Sequence, residues 1–280
     1  MDSRYCIYNG HLVSLFEPLL PFSNRAFRYG DSLFESIRLT NNKVMFLRDH
    51  INRLKLGMTV LRMNVPAEFN TENIYAQIIE LLKHNVHARN ARIRLTVFRN
   101  GEGYYTPETN DISYLIESVS LDGGYTLNHK GLWVDLFADI RKPINKLSGI
   151  KTGNALLYTM AGLSKQSMKL DDCLLVNETG NICEAISSNL FVVKNGTLYT
   201  PPLTEGCVAG VMRKQVMQIA HQKKILTFES PISNYTLLNG DEVFLTNSVN
   251  GVRWVGQYKD KFYTNKLASF FIDCLNALAA

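Results

Sequence analysis

A lysine enclosed in a glycine-bounded turn is the sequence feature that most restricts this chain. Lys151 lies between Gly149 and Gly153, and an apolar stretch follows at once in residues 155–161. Glycine lets the backbone take a tight path close to a ligand, and the stretch rich in Ala, Leu and Met predicts a helix that holds the turn rigidly. A desolvated lysine amine can attack an aldehyde and form a Schiff base. Most lysines are solvated, however, so the turn alone favours an ordinary surface lysine.

Composition limits the classes of protein to consider. The chain has 280 residues, of which 46% are hydrophobic and 20% charged, as expected for one large or two ordinary globular domains. The net charge of +5 is spread over short basic runs without interleaved aromatic residues, which argues against nucleic-acid binding. The five cysteines form no CxxC pair, which argues against a disulfide framework or a metal site. With no signal peptide and no membrane-spanning apolar run, we expect a cytoplasmic protein.

The N-terminal part predicts a hairpin at Asn9-Gly10 and then a strand within residues 31–39. Period-two alternation places an aromatic ring, a hydroxyl and a guanidinium on one face of that strand, namely Phe34, Ser36 and Arg38. The other face carries Glu35, Ile37 and Leu39. The first face is either a solvent-exposed strand face or the wall of a pocket with a carboxylate clamp.

A periodic helix follows over residues 47–63, with His50 and Arg53 at the edge of its apolar stripe. Such residues usually lie on a solvated flank, although an arginine there could also reach a phosphate. Further strands are predicted at 91–98 and 112–118, joined by a Gly-rich loop with charged and aromatic residues that is typical of a functional loop. Composition changes near residues 120–124, which predicts domains at 1–120 and 121–280.

The C-terminal part contains a predicted strand over residues 182–193 that carries Glu184 among apolar neighbours. Sequence alone favours an edge-strand carboxylate over a buried one. Gly210 precedes a predicted helix, whose first N–H groups offer an anion site, though this signal is weak by itself. Ser248 follows a strand end, where a hydroxyl could also face a phosphate.

Together these segments resemble the fold-type IV pyridoxal-phosphate enzymes, which include branched-chain aminotransferases, D-amino-acid aminotransferases and 4-amino-4-deoxychorismate lyases. The resemblance runs from Tyr29-Gly30-Asp31 to Ser248 and rests on the order and spacing of five motifs. It implies an α+β (mixed α/β) fold with a small N-terminal α/β domain and a larger C-terminal pseudo-barrel domain. It also implies a homodimer, because members build the pocket at a domain and subunit boundary.

The resemblance also implies roles for individual residues. Lys151 would hold pyridoxal phosphate as a Schiff base and then relocate the substrate α-proton, while Glu184 would keep the pyridine nitrogen protonated. The other cofactor contacts implied by matching positions are Arg53, Ser187, Ser188, the Val211 and Met212 amides, and Ser248. The candidates for substrate contacts are Phe34, Ser36, Arg38 and Arg99.

Three functions stay open at this point. The first is an aminotransferase, of branched-chain type, acting between an amino acid and a 2-oxo acid. The second is a 4-amino-4-deoxychorismate lyase that releases pyruvate and leaves 4-aminobenzoate. Ala155 stands after Asn154 where branched-chain members often carry a tyrosine, and Ile150-Lys151-x-x-Asn154 is similar to the lyases. The third is a non-catalytic domain that keeps the fold, against which Lys151 and Glu184 both argue.

Overall fold

The computed structural model describes residues 4–17, 20–85 and 89–280. Apart from single residues at the C-terminus, the chain forms two compact units. The first comprises Met1–Gly124 and Ile150–Ala155, and the second comprises Tyr125–Gly149 and Leu156–Leu278. Lys151 therefore belongs to the N-terminal unit, although it lies in the middle of the sequence.

The first unit contains a six-stranded antiparallel sheet in the order β2-β1-β6-β5-β3-β4. Its strands are β1 (Tyr5–Tyr8), β2 (His11–Ser14), β3 (Ser32–Thr40), β4 (Lys43–Val44), β5 (Ala91–Arg99) and β6 (Ile112–Ser120). Its helices are α1 (Arg25–Tyr29), α2 (Leu47–Val60) and α3 (Thr71–His84). The predicted hairpin turn is present, since Asn9 and Gly10 both have positive φ angles between β1 and β2.

Alternation along β3 divides the sheet into an apolar and a polar face, as the sequence predicts. Leu33 and Ile37 are buried in the core of the first unit, together with Ile93 and Leu95 of β5. The apolar stripes of α2 and α3 complete this core with Ile51, Leu54, Met58, Ile74 and Ile78. Phe34 and Ser36 lie on the opposite face and are only half-buried.

The second unit contains a nine-stranded mixed sheet. Its strands are β7 (Leu132–Lys142), β8 (Asp172–Asn177), β9 (Ile182–Ala185), β10 (Asn189–Lys194), β11 (Thr197–Thr200), β12 (Thr227–Glu229), β13 (Glu242–Asn247), β14 (Gly251–Tyr258) and β15 (Lys261–Phe262). Its helices are α4 (Leu156–Ser167), α5 (Val211–Gln222), α6 (Asn234–Leu238) and α7 (Lys266–Ala279), with a 3₁₀ turn at Leu203–Glu205. The path β10-β13-β14-β7-β8-β9 returns to β10, which gives the predicted pseudo-barrel.

One predicted strand is wrong in a way that affects the site. Residues 182–193 form two strands, β9 and β10, because the chain reverses at residues 186–188. Ala185 N donates to Ser188 O at 2.8 Å, and Glu184 then pairs with Asn189 across the reversal. The polar run Ser187-Ser188-Asn189 in the middle of this segment is the sequence signal that marks the reversal. Within the described ranges, no helix is long and apolar enough to cross a membrane.

Candidate active site

Strand β3 fixes the turn that carries Lys151. Phe34 N donates to Lys151 O at 3.0 Å, Gly153 N donates to Ser32 O at 2.7 Å, and Leu33 and Thr152 form a β-bridge. A Cβ atom at Gly153 would lie 2.0 Å from Ser32 Oγ, so this close approach requires glycine. Backbone pairing with a strand of the first unit, rather than the following helix alone, therefore holds the lysine in place.

The Lys151 amine lies beside an aromatic ring on the polar face of β3. Its Nζ atom is 4.2 Å from the centroid of the Phe34 ring, and Lys151 is half-buried. The Arg94 guanidinium carbon lies 4.0 Å from the same centroid. Both distances are within the range of a cation–π contact. The face therefore combines an amine, an aromatic ring and a guanidinium.

Arg94 is a candidate that the sequence analysis missed. It lies on β5 directly opposite Ser36 of β3, and its Nε atom donates to Thr96 Oγ1 at 3.2 Å. Burial lowers the pKa of Arg94 below its ordinary value, and Glu117 partly offsets that effect. Applying the period-two alternation to residues 91–98 would have placed Arg94 on the face of Thr96, but only the pairing of β3 with β5 brings it to Phe34.

Two predicted substrate residues make extensive contacts with the protein itself. Arg38 is buried and donates to Gly123 O at 2.6 Å and to Gly124 O at 2.9 Å. Arg99, also buried, donates to the Asp31 carboxylate, the Asn110 side chain and Leu61 O. Arg99 therefore already has three acceptors within the protein, one for each of its nitrogens. Ser36 is the more open position, where its Oγ accepts from Arg92 at 3.5 Å.

A buried ion cluster joins α2 to the apolar face of β3. Glu35 and His50 are 1% and 0% exposed, so the expectation of a solvated His50 is wrong. His50 Nδ1 lies 2.7 Å from Glu35 Oε2, and Arg53 binds both oxygens of Glu35 through Nε and an η-nitrogen. Burial alone would raise the pKa of Glu35, but Arg53 and His50 outweigh it and lower the pKa to about 2. The cluster fixes Arg53 on α2.

Glu184 is the centre of a second buried cluster, in the second unit. The side chain is 3% exposed, which excludes the edge-strand environment that the sequence favours. Its Oε1 atom pairs with Lys142 Nζ and accepts from Tyr158 OH at 2.8 Å, while Oε2 accepts from Val208 N at 2.8 Å. Burial and the neighbouring Glu184 carboxylate raise the pKa of Tyr158 far above its ordinary value, so the phenol stays protonated and donates.

The same region of the second unit contains the start of α5. Asn189 pairs with Thr246 of β13 and donates from Nδ2 to Val208 O at 2.8 Å. A Cβ atom on Gly210 would lie 1.8 Å from Asn189 Oδ1, so glycine is needed where α5 begins. Among the described residues no side chain caps this start, and the amides of Val211 and Met212 lie in its first turn. Such a turn suits a phosphate.

The three remaining predicted cofactor residues lie at neighbouring strand ends. Ser188 Oγ accepts from Asn247 Nδ2 at 3.0 Å, which links the turn after β9 to the end of β13. Ser248 follows directly and is nearly buried, whereas Ser187 is exposed. The chain thus offers an amine, a buried carboxylate and backbone donors for an anion. These are the groups that a phosphorylated pyridine aldehyde requires, so the residues present fit pyridoxal phosphate.

Comparisons of the chain with a protein-family model and with individual proteins agree with the family resemblance seen in the sequence. Residues 32–258 match the family described as amino-transferase class IV. A Rickettsia typhi protein named "Probable branched-chain-amino-acid aminotransferase" is 30% identical over 226 residues, which cover 78% of this chain and 74% of that protein. The aminodeoxychorismate lyase of Vibrio harveyi is 25% identical over 237 residues, or 83% of this chain and 85% of that protein.

Solved structures share the fold. The branched-chain aminotransferase of the thermophilic archaeon Thermoproteus uzoniensis, solved with norvaline, superimposes with a TM-score of 0.90 at 22% identity. The match covers 99% of this chain and 95% of that one. At this level of identity the likeness establishes a fold-type IV architecture, as the sequence predicts.

Proposed function

The chain belongs to the class IV aminotransferase family of pyridoxal-phosphate enzymes, and we propose on this premise that it transfers an amino group between a branched-chain-type amino acid and a 2-oxo acid. The observation that carries the proposal is Lys151, whose main chain is hydrogen-bonded to β3 and whose Nζ atom lies 4.2 Å from the Phe34 ring centroid. A fixed, partly desolvated amine beside an apolar ring suits both covalent attachment of an aldehyde and proton transfer.

The proposed roles of the other residues follow from their surroundings. When bound, pyridoxal phosphate supplies an electron sink for the substrate α-carbon. Glu184 would lie against the pyridine nitrogen, and Tyr158 and Val208 N orient its carboxylate. The amides of Val211 and Met212 would bind the phosphate, with Ser248 and Arg53 as further donors. The Lys151 amine would hold the cofactor and take up the proton of the substrate α-carbon.

The polar face of β3 and β5 supports the proposed substrate class. Phe34 offers an apolar surface for an aliphatic side chain, and the neighbouring Arg94 offers a guanidinium for a carboxylate. A transaminase needs both properties, because it takes an apolar amino acid in one half-reaction and an acidic 2-oxo acid in the other.

A lyase acting on 4-amino-4-deoxychorismate is the second candidate. It is favoured by the Vibrio harveyi relative and by Lys151-x-x-Asn154 without the tyrosine that many branched-chain members carry. To separate the two, amino acids are added singly to the purified enzyme and its visible spectrum is followed. A transaminase converts the cofactor to its stored amine form and then needs a 2-oxo acid. Release of pyruvate and 4-aminobenzoate from aminodeoxychorismate, without such storage, would favour the lyase.

Arg94 is expected to select acidic substrates. Replacing it (Arg94→Gln) should raise KM for glutamate or 2-oxoglutarate about 10- to 100-fold, because a charge-assisted hydrogen bond to a carboxylate is worth about 1.5–3 kcal/mol. KM for an aliphatic amino acid should change much less. Steady-state kinetics with both classes measure the split. Arg92→Gln, two residues earlier on the same strand face, is the matched control, and equal losses for both substrate classes would contradict this role.

A further inference from the structure

A second buried lysine, Lys142, lies against the carboxylate of Glu184. It ends β7, where the register against β8 shifts between Phe137 and Lys142, and its side chain is 4% exposed. The Nζ atom pairs with Glu184 Oε1, lies 2.9 Å from Tyr158 OH and donates to Ser148 O at 3.4 Å. The ammonium group therefore has three oxygen neighbours, and all of them belong to the second unit.

Lys142 and Glu184 are the charged members of this cluster. Tyr158 stays protonated, as described above. Burial raises the pKa of the Cys207 thiol to about 11 and that of the Cys183 thiol further still, so both thiols are neutral at physiological pH. Arg213, a further cation that acts on the Cys207 thiol, is paired with Glu229. The cluster thus has no net charge before any ligand binds.

We propose that Lys142 is a positioning residue that holds the Glu184 carboxylate and limits how far this carboxylate stabilises the protonated form of the cofactor's pyridine ring. The proposal rests on the proposed function, in which Glu184 faces that ring nitrogen. With Lys142 present, a protonated ring adds a net positive charge to a buried neutral pair, which is unfavourable. Without Lys142, a protonated ring and Glu184 would form a neutral pair. Lys142 would therefore make the cofactor ring less electron-withdrawing by disfavouring its protonated form.

The direct test is a spectroscopic one. Holoenzyme is prepared with pyridoxal phosphate labelled with ¹⁵N in the ring, and the ¹⁵N chemical shift reports protonation of that nitrogen. In Lys142→Gln, which removes the charge and keeps a hydrogen-bond donor, the signal should move toward the pyridinium position. Lys142→Arg, which keeps the charge, should stay near wild type. Lys146→Met, at an exposed lysine four residues later, is the matched control. An unchanged shift in a Lys142→Gln enzyme that retains cofactor would overturn the proposal.

A second test uses the wild-type chain, so it does not require that any variant folds. The 1-deaza analogue of pyridoxal phosphate has a carbon in place of the ring nitrogen and cannot bind Glu184 there. Since Lys142 already satisfies this carboxylate, the analogue should bind the apoenzyme less than about tenfold more weakly than pyridoxal phosphate. A loss of affinity of more than about 100-fold would show that Glu184 binds mainly to the ring nitrogen and not to Lys142. That result would overturn the proposal.

These outcomes are distinct from a failure of the proposed function. A chain that binds neither pyridoxal phosphate nor its analogue would refute the proposed function itself. A chain that binds both and transfers amino groups, but has a ring nitrogen insensitive to Lys142, would refute only the role of Lys142.

Discussion

Replacing Lys151 by alanine is expected to lower kcat/KM by about 10⁴-fold or more, because one change removes both the proposed covalent attachment and the proposed proton carrier. The purified variant should also lack the visible absorbance of the lysine-bound cofactor. The backbone around residue 151 should not move, since Phe34 N and Gly153 N make their hydrogen bonds through main-chain atoms. Absorbance spectra and single-turnover assays measure the two effects separately.

Lys146 provides the matched control for this experiment. It lies five residues before Lys151 in the connection between β7 and α4, and its side chain is exposed. Lys146→Ala should keep wild-type absorbance and turnover. In the wild-type enzyme, borohydride reduction should attach the cofactor irreversibly to Lys151. Peptide mass analysis should then locate it on that residue. If Lys151→Ala keeps both its colour and its activity, the proposed chemistry is wrong.

Local turn chemistry explains which parts of the fold the sequence predicts well. Asn9-Gly10 is a hairpin turn in both the prediction and the structure, because residues that favour positive φ angles are preferred there, and Asn195-Gly196 joins β10 to β11 in the same way. Asn70 caps α3 by accepting from Asn73 N at 2.9 Å, which is also a contact between near neighbours in the sequence. These features depend on a few adjacent residues, so a single sequence is enough to find them.

The surroundings of Lys151 and Glu184 depend on contacts between residues that are far apart in the sequence. The Lys151 turn binds β3, more than 100 residues earlier in the chain, and no local pattern contains that contact. Glu184 is buried because Lys142, 42 residues before it, neutralises it inside the barrel-like sheet. The family resemblance drew attention to Glu184 and Lys151 in the sequence, but no sequence pattern pointed to Lys142.

The buried face of a helix can be predicted from the sequence for α2 but not for α7. In α2 the polar residues are distinct enough to define the buried stripe of Ile51, Leu54 and Met58. Helix α7 is apolar over most of its circumference, so its sequence offers Leu278 as readily as Leu275 for the buried face. Leu278 is 44% exposed, whereas Ile272 and Leu275 are buried. When nearly every position is apolar, periodicity cannot decide which side packs.

Replacing Glu35 by glutamine is expected to lower the free energy of unfolding by about 3–5 kcal/mol at pH 7, the usual cost of removing one partner from a buried ion cluster. The variant keeps the size of the side chain but leaves Arg53 and the fully buried His50 without the carboxylate charge. Chemical denaturation measures the difference. Glu80→Gln, at an exposed position of α3, is the control and should change stability by less than about 0.5 kcal/mol.

The dependence of this effect on pH gives a sharper test of the cluster. The pKa of Glu35 is about 2 in the folded chain and near 4.5 when unperturbed. Because the folded value is the lower one, the stabilisation is complete above about pH 4.5 and is lost as pH falls toward 2. The shift corresponds to about 3 kcal/mol at most. The difference in unfolding free energy between wild type and Glu35→Gln should therefore shrink steadily from pH 5 to about pH 3. A difference that stays constant over this range would show that the carboxylate stabilises the fold through packing, and that its charge pairing with Arg53 and His50 contributes little.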